Sequence, residues 1–318
     1  MNEDRIRVLY IAGMGRSGST VLGNILGQFD GFFHGGELRF IWDRGLIENW
    51  TCGCGSPFRE CELWRTIFQD AFGGMGGVDS QEMFRQREIG TRTHHIPLML
   101  MSPGRRLLNS RSGEYLESLG KLYRAIQHNT GSSVIVDSSN FPAYAYALGM
   151  LRPIDLYVVH LIRDSRATAY SWLRKKLHAD AGSSQDSVYI RQYSPLDTAL
   201  RWSIRNLATE VLWRRSAGRY LTLRYEDLIT NPQRSIDSIL EMLQTSPSGS
   251  PFTSEHEVKF GVNHTVSGNP NRSQTGTVRL RLDEEWKKKL KPFDKSMVTA
   301  LTWPLLVRYG YSKVKGLR

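Results

Sequence analysis

Cysteine is scarce in this chain, with three among 318 residues. So small and odd a count excludes a disulfide framework and predicts a reducing compartment. The start, Met1-Asn2-Glu3-Asp4, lacks the basic and then apolar character of an export leader, so a cytoplasmic protein is expected. Long apolar runs are missing as well. Nothing approaches the ~18 uninterrupted apolar residues of a membrane span, so no transmembrane segment is expected. Acidic residues fall short of basic ones, 31 Asp+Glu against 42 Lys+Arg, which leaves a net charge of +11. That surplus predicts a polyanionic partner: nucleic acid, a membrane surface or a phosphate-rich small molecule. The basic residues form no single run. They are spread over Arg105 and Arg106, residues 174–176, Arg214 and Arg215, residues 279–281 and residues 287–291, most of which read as solvated faces. Repeats and low-complexity tracts are lacking too.

The remaining composition, 40% apolar with 10% aromatic, is that of a chain able to bury a large core. Four short runs rich in β-branched and apolar residues stand out: 7–12 (RVLYIA), 133–137 (SVIVD), 156–163 (LYVVHLIR) and 220–225 (YLTLRY). Nearly continuous apolar character of this kind suits parallel strands covered on both faces. Helical patterns lie between them, over 19–29, 163–177, 195–215 and 232–243. The alternation predicts an α/β protein with a doubly wound parallel sheet, which binds its ligand at the carboxyl ends of the strands. The first two predicted strands stand ~120 residues apart, so a helical insertion over 31–131 is expected largely outside the core, as an acceptor-binding lid within one domain spanning 1–318. Residues 245–253 read as a surface loop, and 264–277 as irregular structure.

Gly13-Met14-Gly15-Arg16-Ser17-Gly18-Ser19-Thr20 follows the first predicted strand and precedes a helix. Glycines let backbone amides converge on an anion, and the helix N-terminus adds partial positive charge. The spacing fits a phosphate loop, yet Ser19 stands where a nucleotide triphosphatase carries Lys, and Arg16 is the loop's only cation. Losing that Lys weakens ATP chemistry, which offsets heavy phosphate charge with Mg²⁺ and Lys. A less charged group needs neither, and sulfuryl transfer is such a case.

The segment Gly15-Arg16-Ser17-Gly18-Ser19-Thr20 resembles the 5′-phosphosulfate loop of sulfotransferases that use 3′-phosphoadenosine 5′-phosphosulfate (PAPS), most closely their carbohydrate and tyrosylprotein branches. His160-Leu161-Ile162-Arg163 and the following residues to Ser171 resemble the family's 3′-phosphate motif, with Arg163 and Ser171 as the holding residues. Leu223-Arg224-Tyr225-Glu226-Asp227 resembles a strand end whose Tyr, here Tyr225, lies near the nucleotide. Ser267-Gly268-Asn269-Pro270-Asn271-Arg272 resembles a late loop that closes over it, with Asn269 and Arg272 as contacts. The resemblance implies a P-loop nucleotide-binding fold, PAPS as donor, no metal, and a hydroxyl acceptor that is a glycan, glycolipid or other small metabolite.

Sulfuryl transfer to a hydroxyl needs a base. Glu37, in His34-Gly35-Gly36-Glu37, stands where tyrosylprotein-type relatives carry theirs; His34 is the rival. Asp137-Ser138-Ser139-Asn140 follows the second predicted strand, and Asn140 replaces the Lys that many bacterial relatives carry beside the transferring group. With Arg16, Glu37 and Asn140 make the expected catalytic set. Cys52, Cys54 and Cys61 raise the question of zinc, with His34 as a fourth ligand at no standard spacing; a Gly-rich loop with reduced or occasionally oxidised thiols is the preferred reading. Two other functions remain open: a nucleotide kinase, with Asp137 on Mg²⁺, and a basic nucleic-acid-binding protein.

Overall fold

The structure, a computed structural model, describes residues 5–99, 102–175 and 191–312, and the side chains of 98–111 lie outside the description. Residues 1–4, 176 and 177, and the side chains of Arg105 and Arg106, on which some expectations fell, are therefore outside the described residues. Among the described residues no helix is long and apolar enough to cross a membrane.

Strands β1 (Ile6–Gly13), β2 (Phe32–Gly36), β3 (Val134–Asn140), β4 (Ile154–Ile162) and β5 (Tyr220–Arg224) form a five-stranded sheet of order β2-β3-β1-β4-β5. Every pairing is parallel. Because side chains alternate across a strand, β1 serves two cores. Val8, Tyr10 and Ala12 pack with Trp64, Phe68 and Tyr123 on one face. Leu9 and Ile11 pack with Leu22, Ile25 and Ile236 on the other. All five of these β1 residues have no exposed surface, and burying each larger aliphatic one is worth about 1.5–3 kcal/mol. Prolines at the first turns of helices Pro142–Gly149, Pro195–Trp213 and Pro232–Leu243 start them where a missing N–H costs nothing.

The expected insertion is less separate than the spacing suggests. Its first residues form β2, an edge strand of the main sheet. Its long helix, Ser102–Thr130, lays Tyr115, Leu119, Leu122, Tyr123 and Ile126 against Val8, Tyr10 and Ile135. These positions recur at helical spacing, so one stripe of the insertion belongs to the core.

The tail of the chain carries more order than its polar composition predicts. Strands β6 (Phe252–Ser254), β7 (Glu257–Phe260) and β8 (Gly276–Arg279) make a small antiparallel sheet of order β6-β7-β8. Val258 and Phe260 anchor it in the second core.

Where β3 leaves the sheet, its register against β1 slips between Tyr10 and Ala12. Tyr10 clasps the following residue: its hydroxyl donates to the Phe141 carbonyl at 3.0 Å and accepts from the Phe141 amide at 2.8 Å. Just before the slip, Asp137 is fully buried, accepting from the Tyr123 hydroxyl at 2.5 Å and the Ser139 amide at 2.9 Å. Burial pushes its carboxyl up to about 6, against the pull of those donors. Tyr123→Phe removes one donor from a buried carboxylate. It should lower stability by about 1–3 kcal/mol, read from the urea midpoint; an unchanged midpoint would show that Asp137 does not need the bond.

Candidate active site

The loop after β1 is built by conformation before chemistry. Gly13 leaves the strand at φ 135°, where a Cβ would stand 2.4 Å from the Leu161 carbonyl oxygen. Gly18 turns the chain into the helix at φ 95°, and a Cβ there would lie 2.5 Å from the Tyr225 ring. Between them Arg16 holds φ 73°, the left-handed region that non-glycine residues avoid. The helix Ser19–Leu26 then begins with no side-chain cap and no acidic residue in its first turn. Its leading amides and partial positive charge are thus left for an anion. Arg16 stacks over Trp172 at 5.1 Å, and Trp172 Nε1 donates to the Gly15 carbonyl at 3.0 Å. Burial lowers the pKa of Arg16, while the Glu37 charge opposes the shift.

This loop lines a cavity of about 740 Å³ over the carboxyl ends of the strands. Its wall holds eight arginines, Arg16, Arg44, Arg163, Arg174, Arg191, Arg205, Arg279 and Arg281, against the carboxylates of Glu37 and Asp283. Part of the chain's positive surplus is therefore gathered around one concave site, as an anionic small molecule requires. Of the residues singled out from sequence, Gly15, Arg16, Gly18, Ser19, Thr20, Glu37, Asn140, Arg163, Ser171, Tyr225 and Asn269 line it. Ser17 is buried beneath the loop, and its Oγ has no partner.

Arg163 sits at the end of β4, buried, with its guanidinium 4.5 Å from the Tyr225 ring centre. Its Nη1 donates to the Arg16 carbonyl at 3.2 Å, which ties the two motifs together. Asp283 bridges Arg163 at 3.2 Å and Arg174 at 2.9 Å. An incoming phosphate at Arg163 would compete with that carboxylate. Neither Asp283 nor Arg174 stands in a motif, which is why sequence reasoning misses them.

Glu37 is half-buried and also lines the cavity, 3.3 Å from Arg44 Nη1, and accepts from Ser267 Oγ at 3.4 Å. Burial raises its pKa, with Arg44, Arg16 and Arg272 holding it down. Burial that raises a carboxylate's proton affinity is what a general base requires. The rival, His34, is buried against Gly23 and Gly27, off the cavity wall. Its Nε2 meets Ser138 Oγ at 3.1 Å, and burial drives its pKa down to about 3. It is therefore neutral.

Two expectations change. Arg272 is fully buried and does not line the cavity. Its Nη1 donates to the Thr265 carbonyl at 2.6 Å and to Thr265 Oγ1 at 2.9 Å, and its Nη2 to the Thr51 carbonyl. Those bonds make it a brace under the late loop, since a buried guanidinium must be satisfied by whatever carbonyls surround it. Asn140 reaches the cavity at φ 65°, a conformation Asn tolerates, but its Nδ2 is committed to Ser19 Oγ at 3.1 Å and the Ser138 carbonyl at 2.7 Å. It steadies the first residue of the loop's helix. It does not cap the helix after it, whose N-cap, Phe141, has no side-chain cap bond.

A model of the sulfotransferase family matches residues 9–247. In fold the chain is similar to the sulfotransferase domain from the curacin biosynthetic pathway, with TM-score 0.50 and 16% identity, covering 93% of this chain and 96% of that one. It is also similar to the sulfotransferase domain from the Synechococcus PCC 7002 olefin synthase, with TM-score 0.46 and 18% identity over 99% and 98% of the two chains. No curated protein matches.

Arg44→Ala should raise the Glu37 pKa further, because the charge it removes favours the carboxylate. Side-chain carboxyl NMR titration reads the shift, and a fall or no change would remove Arg44 as the group that tunes Glu37.

Proposed function

The chain belongs to the sulfotransferase family, and from that premise we propose that it moves a sulfuryl group from PAPS to a hydroxyl of a carbohydrate, glycolipid or other small metabolite. The observation that carries the reading is the convergence on one arginine-rich cavity of an uncapped helix N-terminus, Arg16, Arg163 with Ser171, and the recessed base Glu37. When bound, PAPS supplies the sulfuryl group and departs as adenosine 3′,5′-bisphosphate while the acceptor oxygen bonds to sulfur. Glu37 takes the acceptor proton as that bond forms. Arg16 and the loop amides from Gly15 to Thr20 hold the charge that grows on the departing phosphate. Arg163 and Ser171 grip the 3′-phosphate in place of Asp283, and Tyr225 backs the guanidinium. Asn140 keeps Ser19 in register with the loop.

The kinase alternative loses its metal carboxylate, because Asp137 is buried and its oxygens are taken by Tyr123 and Ser139. With Ser19 in place of Lys as well, turnover should not depend on added Mg²⁺. The arginines of the cavity give the positive charge a small-molecule use, and this reading needs no nucleic acid. Three free cysteines fit a reducing compartment, the cytoplasm.

Adenosine 3′,5′-bisphosphate should bind more tightly than AMP by about 1.5–3 kcal/mol, the worth of one charge-assisted contact, and Arg163→Ala should close that gap. Equal affinities in the wild-type protein, measured by calorimetry, would refute a 3′-phosphate site. Glu37→Gln should cut turnover by about 10²- to 10⁴-fold with donor affinity unchanged. In an assay with labelled PAPS and a panel of hydroxylated acceptors, full activity in that variant would unseat Glu37 as the base.

A further inference from the structure

The chain's three cysteines meet at one point, away from the cavity and joined by a histidine from more than 200 residues later. The ligating atoms of Cys52, Cys54, Cys61 and His264 all lie within 4.8 Å of one another. Cys54 Sγ and Cys61 Sγ are 3.8 Å apart, Cys61 Sγ and His264 Nδ1 3.3 Å, and Cys52 Sγ and His264 Nδ1 4.0 Å. A tetrahedral zinc ion, with bonds of about 2.3 Å to sulfur and 2.0–2.1 Å to nitrogen, requires edges of about 3.8 Å between sulfurs and 3.5 Å between sulfur and nitrogen. These three separations lie close to those edges and none of the six exceeds 4.8 Å, so small side-chain adjustments bring the four groups around one ion. We propose that Cys52, Cys54, Cys61 and His264 bind a structural zinc ion.

The backbone around the four ligands is fixed by bonds of its own, so the site is preorganised. The Gly55 amide returns to the Cys52 carbonyl at 2.9 Å, with Gly55 at φ 96°, and the Cys61 amide reaches the Pro57 carbonyl at 3.1 Å. Across the gap, the Gly53 amide donates to the Thr265 carbonyl at 3.0 Å and Trp64 Nε1 to the His264 carbonyl at 2.8 Å. A disulfide between Cys54 and Cys61 would account for two of the four groups and leave Cys52 and His264 without a purpose. With four protein ligands no position is left for water, so the ion is structural and performs no chemistry. His34, the fourth ligand that sequence suggests, is excluded because it faces Ser138. His264 escapes a spacing search because it belongs to a different segment of the chain.

The ion's work is mechanical. It joins the loop 52–61 to a segment that reaches Ser267 three residues after His264. Ser267 Oγ accepts from Arg44 and donates to Glu37, and its carbonyl accepts from the Glu37 amide at 3.3 Å. The proposal stands on the ligand geometry and does not depend on the reaction assigned to the cavity.

The test begins with the metal content of the purified full chain by mass spectrometry, where about one zinc per chain is expected. Cys52→Ser and His264→Ala should each lower it to less than about a tenth. Because either variant can misfold, wild-type protein stripped with a chelator is also titrated with cobalt. A thiolate-to-metal charge-transfer band with intense tetrahedral ligand-field absorption is expected. Zinc removal should speed amide exchange at 265–267 by at least about tenfold. The proposal is overturned by wild-type protein that takes up no stoichiometric zinc or cobalt, by a six-coordinate cobalt spectrum, by variants that keep the metal, or by a Cys54–Cys61 disulfide in freshly purified protein.

Discussion

The site depends on β1, which is hydrogen-bonded in parallel on both edges and buried on both faces. Its pairing runs to the end of β3, with Ala12 opposite Asn140, and to the penultimate residue of β4, with Gly13 opposite Leu161. Three chain exits are thereby fixed side by side: the glycine-rich loop after β1, the turn at Asn140 and the arginine at 163. None of these segments could be positioned by its own sequence, since each is a loop or strand end with few local bonds. The shared frame sets their relative geometry, and the carbonyl of Leu161 presses so closely that only glycine fits at position 13.

Much of this frame is legible in the sequence because a strand buried on both faces must be apolar at nearly every position, and β1, β3 and β4 announce themselves that way. β2 does not. Phe32-Phe33-His34-Gly35-Gly36 is short and ends in glycines, which strands avoid unless another backbone comes close. Here one does, since a Cβ at Gly36 would fall 2.9 Å from the Ser267 carbonyl oxygen. β6, β7 and β8 are equally hard to read, because β7 buries only Val258 and Phe260 while the residues of β6 and β8 are half-buried or exposed.

The parts of the site that can be read early are those whose residue types are constrained by local conformation, such as the loop's glycines and an arginine closing a strand. Partners chosen by tertiary proximity leave no such trace. Arg44 beside Glu37 and Asp283 between Arg163 and Arg174 stand in segments with no pattern of their own. Arg272 shows the converse. It sits in a recognisable motif, but its neighbours are carbonyls buried under the loop, so its charge braces the protein.

Along the outer edge of the sheet, β2 would present unpaired backbone groups to its surroundings. The late loop covers them: the Val266 amide donates to the Gly35 carbonyl at 3.0 Å, the Glu37 amide donates to the Ser267 carbonyl, and Val266 is buried in the core. An open edge of this kind is a template on which a second chain can add a strand. The segment that supports Glu37 therefore also closes part of that edge, and whatever loosens it would expose a template of this kind.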